Sequence, residues 1–271
     1  MKPLILILSL SYSLSAIGQN PLDSGFTNKS EAKNLIVNGK KEGKWLEFLV
    51  RKFVVGGATY TDTFGYKLLM YKDGKPFGMV RGYNLENGRL HSETPYSEGK
   101  GNGIEKIYDE NGKLGMEIPL VNDSINGIEK LYDVKNGIQY DTPYINGKKN
   151  GIAKGFYKSG KLMYSYPYTN GVENGVFIDY YENGNIEFLR PFTNGKVIND
   201  TVKHFFDNGL LEWEMPYGND KPNGVAKDFY MNGKLKSQTI YTNGVEGITT
   251  SYDPKGKVTR KSYDELGNEI K

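Results

Sequence analysis

The sequence predicts an all-β protein: an elongated, single antiparallel β-meander of about nine hairpin repeats of about 24 residues each, in an open sheet that twists and curls. Three registers predict it. Pro recurs at 95, 119, 143, 167, 191 and 216, at spacings of 24, 24, 24, 24 and 25. Gly recurs at 78, 103, 127, 151, 175, 224 and 247, with Asp200 in the one gap. An aromatic follows each of these positions by five residues: Tyr83, Tyr108, Tyr132, Phe156, Tyr180, Phe205, Phe229 and Tyr252. A second Gly recurs at 88, 112, 137, 160, 184, 209, 233 and 256. Registers that stay in step at a fixed period are the signature of a repeat architecture. Composition agrees: 21 Tyr and 34 Gly against 2 Trp suit a thin, turn-rich β-structure better than a deep aliphatic core.

Taken in chain order, MKPLILILSLSYSLSAIGQN carries one positive charge, an apolar run from Leu4 to Leu14, and small residues at Ala16 and Gly18. This pattern predicts a signal peptide over 1–18 with cleavage before Gln19. The run falls well short of the ~20 residues that a membrane-spanning helix needs, and no other segment predicts an integral span. Residues 19–34 read as a polar lead. NGKKEGKWLEF (38–48) opens the repeat domain, 35–271. Its first hairpin, 35–70, is the longer one, because Gly43 and Gly78 lie 35 residues apart and the excess falls around VVGGATYTDT. The last unit, 241–271, reads as a degenerate closing cap.

Each unit in between fits two short strands. Asn-Gly at 111–112, 183–184, 208–209 and 232–233 predicts two-residue type I′ turns. Eighteen strands at about 4.8 Å each would extend about 85 Å, and an open sheet of that length must twist. Counting outward from Asn111-Gly112 places Tyr108, Lys106, Ile104, Gly115, Glu117 and Pro119 on one face, with Ile107, Leu114, Met116 and Ile118 on the other. In the seventh unit the second face holds Val202, His204, Phe206, Leu211, Trp213 and Met215, and this is the more apolar face.

The first face carries Arg81, Lys106, Lys130, Lys154, Lys203 and Lys227 at one repeat position. The opposing positions are Glu93, Glu117, Asp141, Ser165, Glu214 and Gln238. In the sixth unit the cation becomes Ile178 and its partner Leu189, so both charges vanish together. That behaviour predicts cross-strand contacts, with Lys106–Glu117 and Lys203–Glu214 as structural ion pairs that hold register, rather than a basic track for nucleic acid. A formal net charge of +3 agrees. The aromatic row beside these pairs (Tyr108, Tyr132, Phe156, Tyr180, Phe205 and Phe229), together with Trp213, supplies the candidate partner-binding residues, since aromatics add contact area at little entropic cost.

Catalytic and metal-binding patterns are missing. There is no cysteine, and the two histidines, His91 and His204, lie in different units without ligand spacing. Paired carboxylates such as Glu212 and Glu214 follow from strand alternation alone. The expectation is a non-enzyme with no cofactor and no metal.

NGKKEGKWLEF, YINGKKNGIAKGFYKSGKL and YTNGVENGVFIDYYENGNI resemble MORN-type repeats, specifically the bacterial variant of YwqK-type proteins, over about residues 35–260. The Gly-x-Gly common in eukaryotic MORN units is absent. Many YwqK-type proteins are labelled antitoxins, and MORN arrays elsewhere are described as protein- or lipid-contacting scaffolds. The resemblance implies a non-catalytic scaffold that binds another protein, and the N-terminal pattern adds the expectation that it is exported to the periplasm, the cell surface or the medium. Its alternatives are an antitoxin- or immunity-type neutraliser of a toxin, and a cell-envelope protein that binds or acts on glycan.

Overall fold

The computed structural model describes residues 23, 25–55, 58–133, 135–197, 199–263 and 269–270; the signal sequence expected over 1–18 lies outside them. Among the described residues there is no α-helix, and the one helical turn is the 3-10 segment Lys29–Glu31. The rest is a single antiparallel sheet of 25 strands. Eighteen of these have five or more residues, which accounts for the nine hairpins read from the repeat; the other seven have two or three residues and sit mostly at the connections.

The chain forms two compact units: residues up to Glu105 with Val121–Asp123, and Lys106–Leu120 with Ser124 onward. In the first, Lys40–Val55 and Ala58–Lys72 pair as a long hairpin, followed by Lys75–Asn84 and Leu90–Ser97. Its two faces each bury a cluster. One contains Leu69, Tyr71 and Val80, packed by Trp45 and Tyr96. The other contains Phe26, Tyr66 and Leu68, packed by Ala32, Leu46, Met70 and Tyr83.

In the second unit the hairpins repeat: Gly127–Asp133 with Ile138–Ile145, Gly151–Phe156 with Leu162–Thr169, Gly175–Tyr180 with Ile186–Phe192, Thr201–Phe205 with Leu211–Gly218, and Gly224–Phe229 with Leu235–Thr242. The directly opposed residues include Lys130↔Asp141, Lys154↔Ser165, Ile178↔Leu189, Lys203↔Glu214 and Lys227↔Gln238.

The turns differ from the expectation. At Asn111-Gly112 the Gly112 amide donates to Asp109 O at 3.0 Å and the Asp109 amide to Lys113 O at 2.8 Å. Of these two residues only the glycine has positive φ, at 80°. This is a type I turn closed by a left-handed glycine, and the same pattern recurs at 183–184, 208–209 and 232–233. Type I′ would need positive φ at both central residues. Here the turn's polar side chains bond locally instead: Asp109 Oδ1 accepts from the Asn111 amide at 2.8 Å, and Asn183 Oδ1 from the Asn185 amide at 2.8 Å. The longer turn does not break the predicted pairing, because a one-residue bulge follows it, between Gly155 and Phe156, Asp179 and Tyr180, His204 and Phe205, and Asp228 and Phe229.

The true two-residue turns lie between units. Asn146-Gly147 has φ of 48° and 76° and is flanked by the pair Ile145↔Lys148; Asn170-Gly171 has 52° and 89° between Thr169↔Val172. These junctions explain the Pro and Gly registers. Each Pro meets the Gly eight residues later: a Cβ on Gly127, Gly151, Gly175 or Gly224 would fall 2.7–3.1 Å from the Cγ of Pro119, Pro143, Pro167 or Pro216. The Pro carbonyl accepts from the Asn just before that Gly, as in Asn126 to Pro119 at 2.8 Å and Asn150 to Pro143 at 2.9 Å. Where this Gly is missing, Asp200 stands at its repeat position, just before the pair Thr201↔Pro216 and with its carbonyl accepting from the Tyr217 amide at 2.7 Å; the connection before it is one residue longer and carries Asn199 at a positive φ of 48°.

Gly175→Ala should therefore destabilise more than Gly184→Ala. Both force alanine to positive φ, at 123° and 95°, but only the first meets Pro167, at 2.7 Å. The expected losses are roughly 2–3 and 1–2 kcal/mol, read as lower thermal midpoints in far-UV circular dichroism.

Candidate functional site

The period-2 alternation of each strand sorts the second unit's side chains onto two faces. On the first, the leading strands from Gly127, Gly151 and Gly224 present an aliphatic residue, a cation and an aromatic at alternate positions; the strand from Gly175 has Ile178 in place of the cation, and the strand from Thr201 has Thr201 in place of the aliphatic. Ile128, Ile152, Val176 and Val225 are exposed at 53, 50, 45 and 41% of their surface. The aromatic row at Tyr108, Tyr132, Phe156, Tyr180, Phe205 and Phe229 is half-buried.

The charged residues on this face connect successive hairpins. Lys203 stands opposite Glu214, but the carboxylate of Glu214 accepts from Lys227 Nζ, one strand further on, at 3.0 Å. Glu117 lies opposite Lys130 of the next hairpin and accepts from the Tyr132 hydroxyl at 2.9 Å. In the first unit Arg81 pairs with Glu93 at 3.0 Å.

The second face holds the close packing. Ala153, Phe177, Val202 and Ala226 are buried there, covered by stacked rings: Tyr164 on Tyr166 at 4.3 Å and Tyr166 on Phe177 at 4.4 Å. Trp213 belongs to this face and is therefore separated from the six aromatics of the first. It stacks on His204 at 5.6 Å and meets Phe188 edge-on at 5.5 Å. His204 Nδ1 lies 2.6 Å from Glu212 Oε2, a contact allowed because Glu212 is the extra residue of the bulge. A shallow depression beside this cluster is lined by Tyr157, Met163, Asp179, Glu187, Phe188 and His204. Among the described residues no group of three His, Cys, Asp or Glu is placed to hold a metal ion.

At the turn end of the hairpins a second tyrosine row links units. Tyr157, Tyr181 and Tyr230 donate to the backbone carbonyls of Tyr180, Phe205 and Tyr252 at 2.6, 2.7 and 2.9 Å. At the connection end asparagines do the same, Asn126 to Asn146 and Asn150 to Asn170, both at 3.3 Å. Sequence reading passed over the tyrosine clasps, although the doublets FY and YY at 156–157 and 180–181 are their signal. It also passed over Asp23 and Phe26 in the lead, which the structure places on the first unit's face.

Four segments, 102–122, 149–170, 173–197 and 222–243, match the family model described as the MORN repeat variant. The chain thus carries MORN-variant repeats. The hairpins 126–148 and 198–221 fall outside the matches, although they share the fold; the first has a longer turn and the second has Asp200 in place of the junction glycine. No curated protein matches the chain. Among the described residues no helix is long and apolar enough to cross a membrane.

Several tyrosines titrate late. Burial, then the Glu117 carboxylate, pushes Tyr132 up to about 12; burial, then neighbouring tyrosines, does the same for Tyr164; burial and the Asp179 carboxylate raise Tyr166 as well. A folded value above the unfolded value of 10 means that the stabilisation is intact below pH 10 and is lost as pH rises toward 12. Urea midpoints should fall only above pH 10, together with a tyrosinate absorbance step at 295 nm. A smooth phenolic titration with unchanged midpoints would contradict this coupling.

Proposed function

We propose that the chain is an exported, non-catalytic repeat protein that binds another protein on the face bearing the aliphatic, cation and aromatic rows. One observation carries this reading. Ile128, Ile152, Val176 and Val225 recur at one repeat position and all remain exposed, whereas the packing of the sheet is met on the opposite face. A scaffold has no need of large aliphatics in water, and a row of exposed apolar residues flanked by charge is what an extended partner uses. MORN repeats are commonly protein- or membrane-binding modules. Protein is favoured over an anionic membrane because the cations of this face alternate with Glu117, Asp141 and Glu214, and the formal net charge of the chain is only +3. Export is supported by the charged, apolar and small-residue order of MKPLILILSLSYSLSAIG. A toxin neutralised outside the cytoplasm is one partner class that the YwqK-type resemblance suggests, and glycan is the competing ligand.

The test is affinity capture from the native host with the chain from Gln19 onward, alongside Ile128→Glu/Ile152→Glu. Both residues are about half exposed, so melting should change little. Recovery of one protein that the double variant loses supports the reading; retention on polysaccharide or on anionic vesicles with no protein recovered would overturn it. N-terminal sequencing of the native protein should begin near Gln19, and an intact Met1 in the cytosol would remove the export claim.

A further inference from the structure

The first unit already shows its repeat face occupied, by the chain's own lead. Arg81 is 6% exposed and Phe26 1%. Arg81 Nη2 donates to Asp23 Oδ2 at 2.5 Å, Nε to Glu93 at 3.0 Å, and Nη1 to the Phe26 carbonyl at 3.3 Å. The Phe26 ring is packed among Tyr66, Leu68, Leu46 and Tyr83, and Glu31 pairs with Lys44. The lead therefore crosses the strands, with a carboxylate on the cation and a ring on the aliphatics of the two preceding strands. Between the two, Gly25 takes the left-handed conformation at φ 66° and donates its amide to Asp23 Oδ1 at 2.9 Å, so the lead turns as it crosses.

The row beneath it runs Leu46, Leu68, Arg81, Glu93, each directly opposite the next. The second unit has the same order of chemistry at the same repeat positions: Ile178, Leu189, Lys203, Glu214. In neighbouring hairpins the first two places are charged or polar, as in Lys130 with Asp141, Lys154 with Ser165 and Lys203 with Glu214. The hairpin in which both of these places are aliphatic thus recreates the seat used by the lead. Leu68 is fully covered beneath Phe26, whereas Ile178, Leu189 and Lys203 stay partly exposed. Glu214, the residue opposite Lys203, is engaged by Lys227 of the next hairpin.

We propose that the Ile178–Leu189–Lys203 row seats a segment of the partner protein that carries a carboxylate three residues before a phenylalanine, the carboxylate on Lys203 and the ring over Leu189 and Ile178. This rests on the protein-binding reading above and names the partner's chemistry. The seat is half-buried aliphatic surface with a single cation at its edge, and an Asp-x-x-Phe segment complements both at the spacing that the lead displays.

The probe is a fluorescent peptide of residues 19–34, added to the chain from Gln19 onward and read by anisotropy. Saturable binding is expected. Ile178→Lys/Leu189→Glu should weaken it about tenfold or more; that double variant restores the charges of neighbouring hairpins, so an unchanged melt is expected of it. Lys203→Glu should weaken binding similarly, with affinity regained by a peptide carrying Asp23→Lys, and a Phe26→Ala peptide should fail. Absence of binding at millimolar peptide, or equal binding by wild type and both chain variants, overturns the proposal. So does self-association of the chain that these variants abolish, because the occupant would then be a second copy. A captured partner that depends on Ile128 and Ile152 but is not displaced by the peptide refutes this seat alone and leaves the protein-binding reading intact.

Discussion

The contact between one hairpin and the next is the constraint on which the second unit depends. A sheet whose buried residues are covered by neighbours on their own face cannot draw stability from a second layer, so each hairpin must be held by its successor. The junction does this at three points across the strands. In the middle, Pro packs on a left-handed Gly that has no room for a Cβ. At the connections, type I′ turns and asparagine pairs fix the step. At the hairpin tips, Tyr157, Tyr181 and Tyr230 close onto the following unit. Phe206 occupies the same turn position without a hydroxyl, so the clasp series skips that step.

With stability spread along the junctions, the two faces can diverge. The second face takes small residues under stacked rings, such as Ala153 opposite Tyr166, and becomes the packed side. The first face needs only its charges for register, and its aliphatic row is spare. Charge pairing runs across hairpin boundaries as well as within hairpins, since Glu214 faces Lys203 but binds Lys227. Such exposed pairs contribute only about 0.2–1 kcal/mol each, so the loss of both charges at Ile178 and Leu189 costs the scaffold little. A position that is cheap to change structurally is where a binding seat can arise.

The first unit shows what covering that face achieves. With Phe26 seated, Leu68 loses all its exposure and Arg81 nearly all. A buried guanidinium must be satisfied, and Asp23, Glu93 and the Phe26 carbonyl do so together. Asp23 in turn is held below the ordinary carboxyl value by its bond to Arg81. Removing either acid would leave the cation under-compensated, which ties the lead segment to the stability of the first hairpins.

The sequence by itself determined the meander, the repeat length and the opposed residues, from Lys130 with Asp141 to Lys227 with Gln238, because strand alternation has a period of two and any slip would reverse both faces at once. It did not determine the turn type. Asn-Gly suits a two-residue turn and a type I turn with a closing glycine equally well, and only the bonds of Asp109 and Asn183 to nearby amides, with the bulge that follows, decide between them. The separation of Trp213 from the other six aromatics was legible from strand parity. The seating of Phe26 was not, since one apolar residue in a polar lead has no period to read, and its partners Tyr66 and Leu68 lie about forty residues away in sequence. Tertiary structure alone brings them together, because burying that ring and pairing Arg81 need surfaces from strands that only the folded sheet sets side by side.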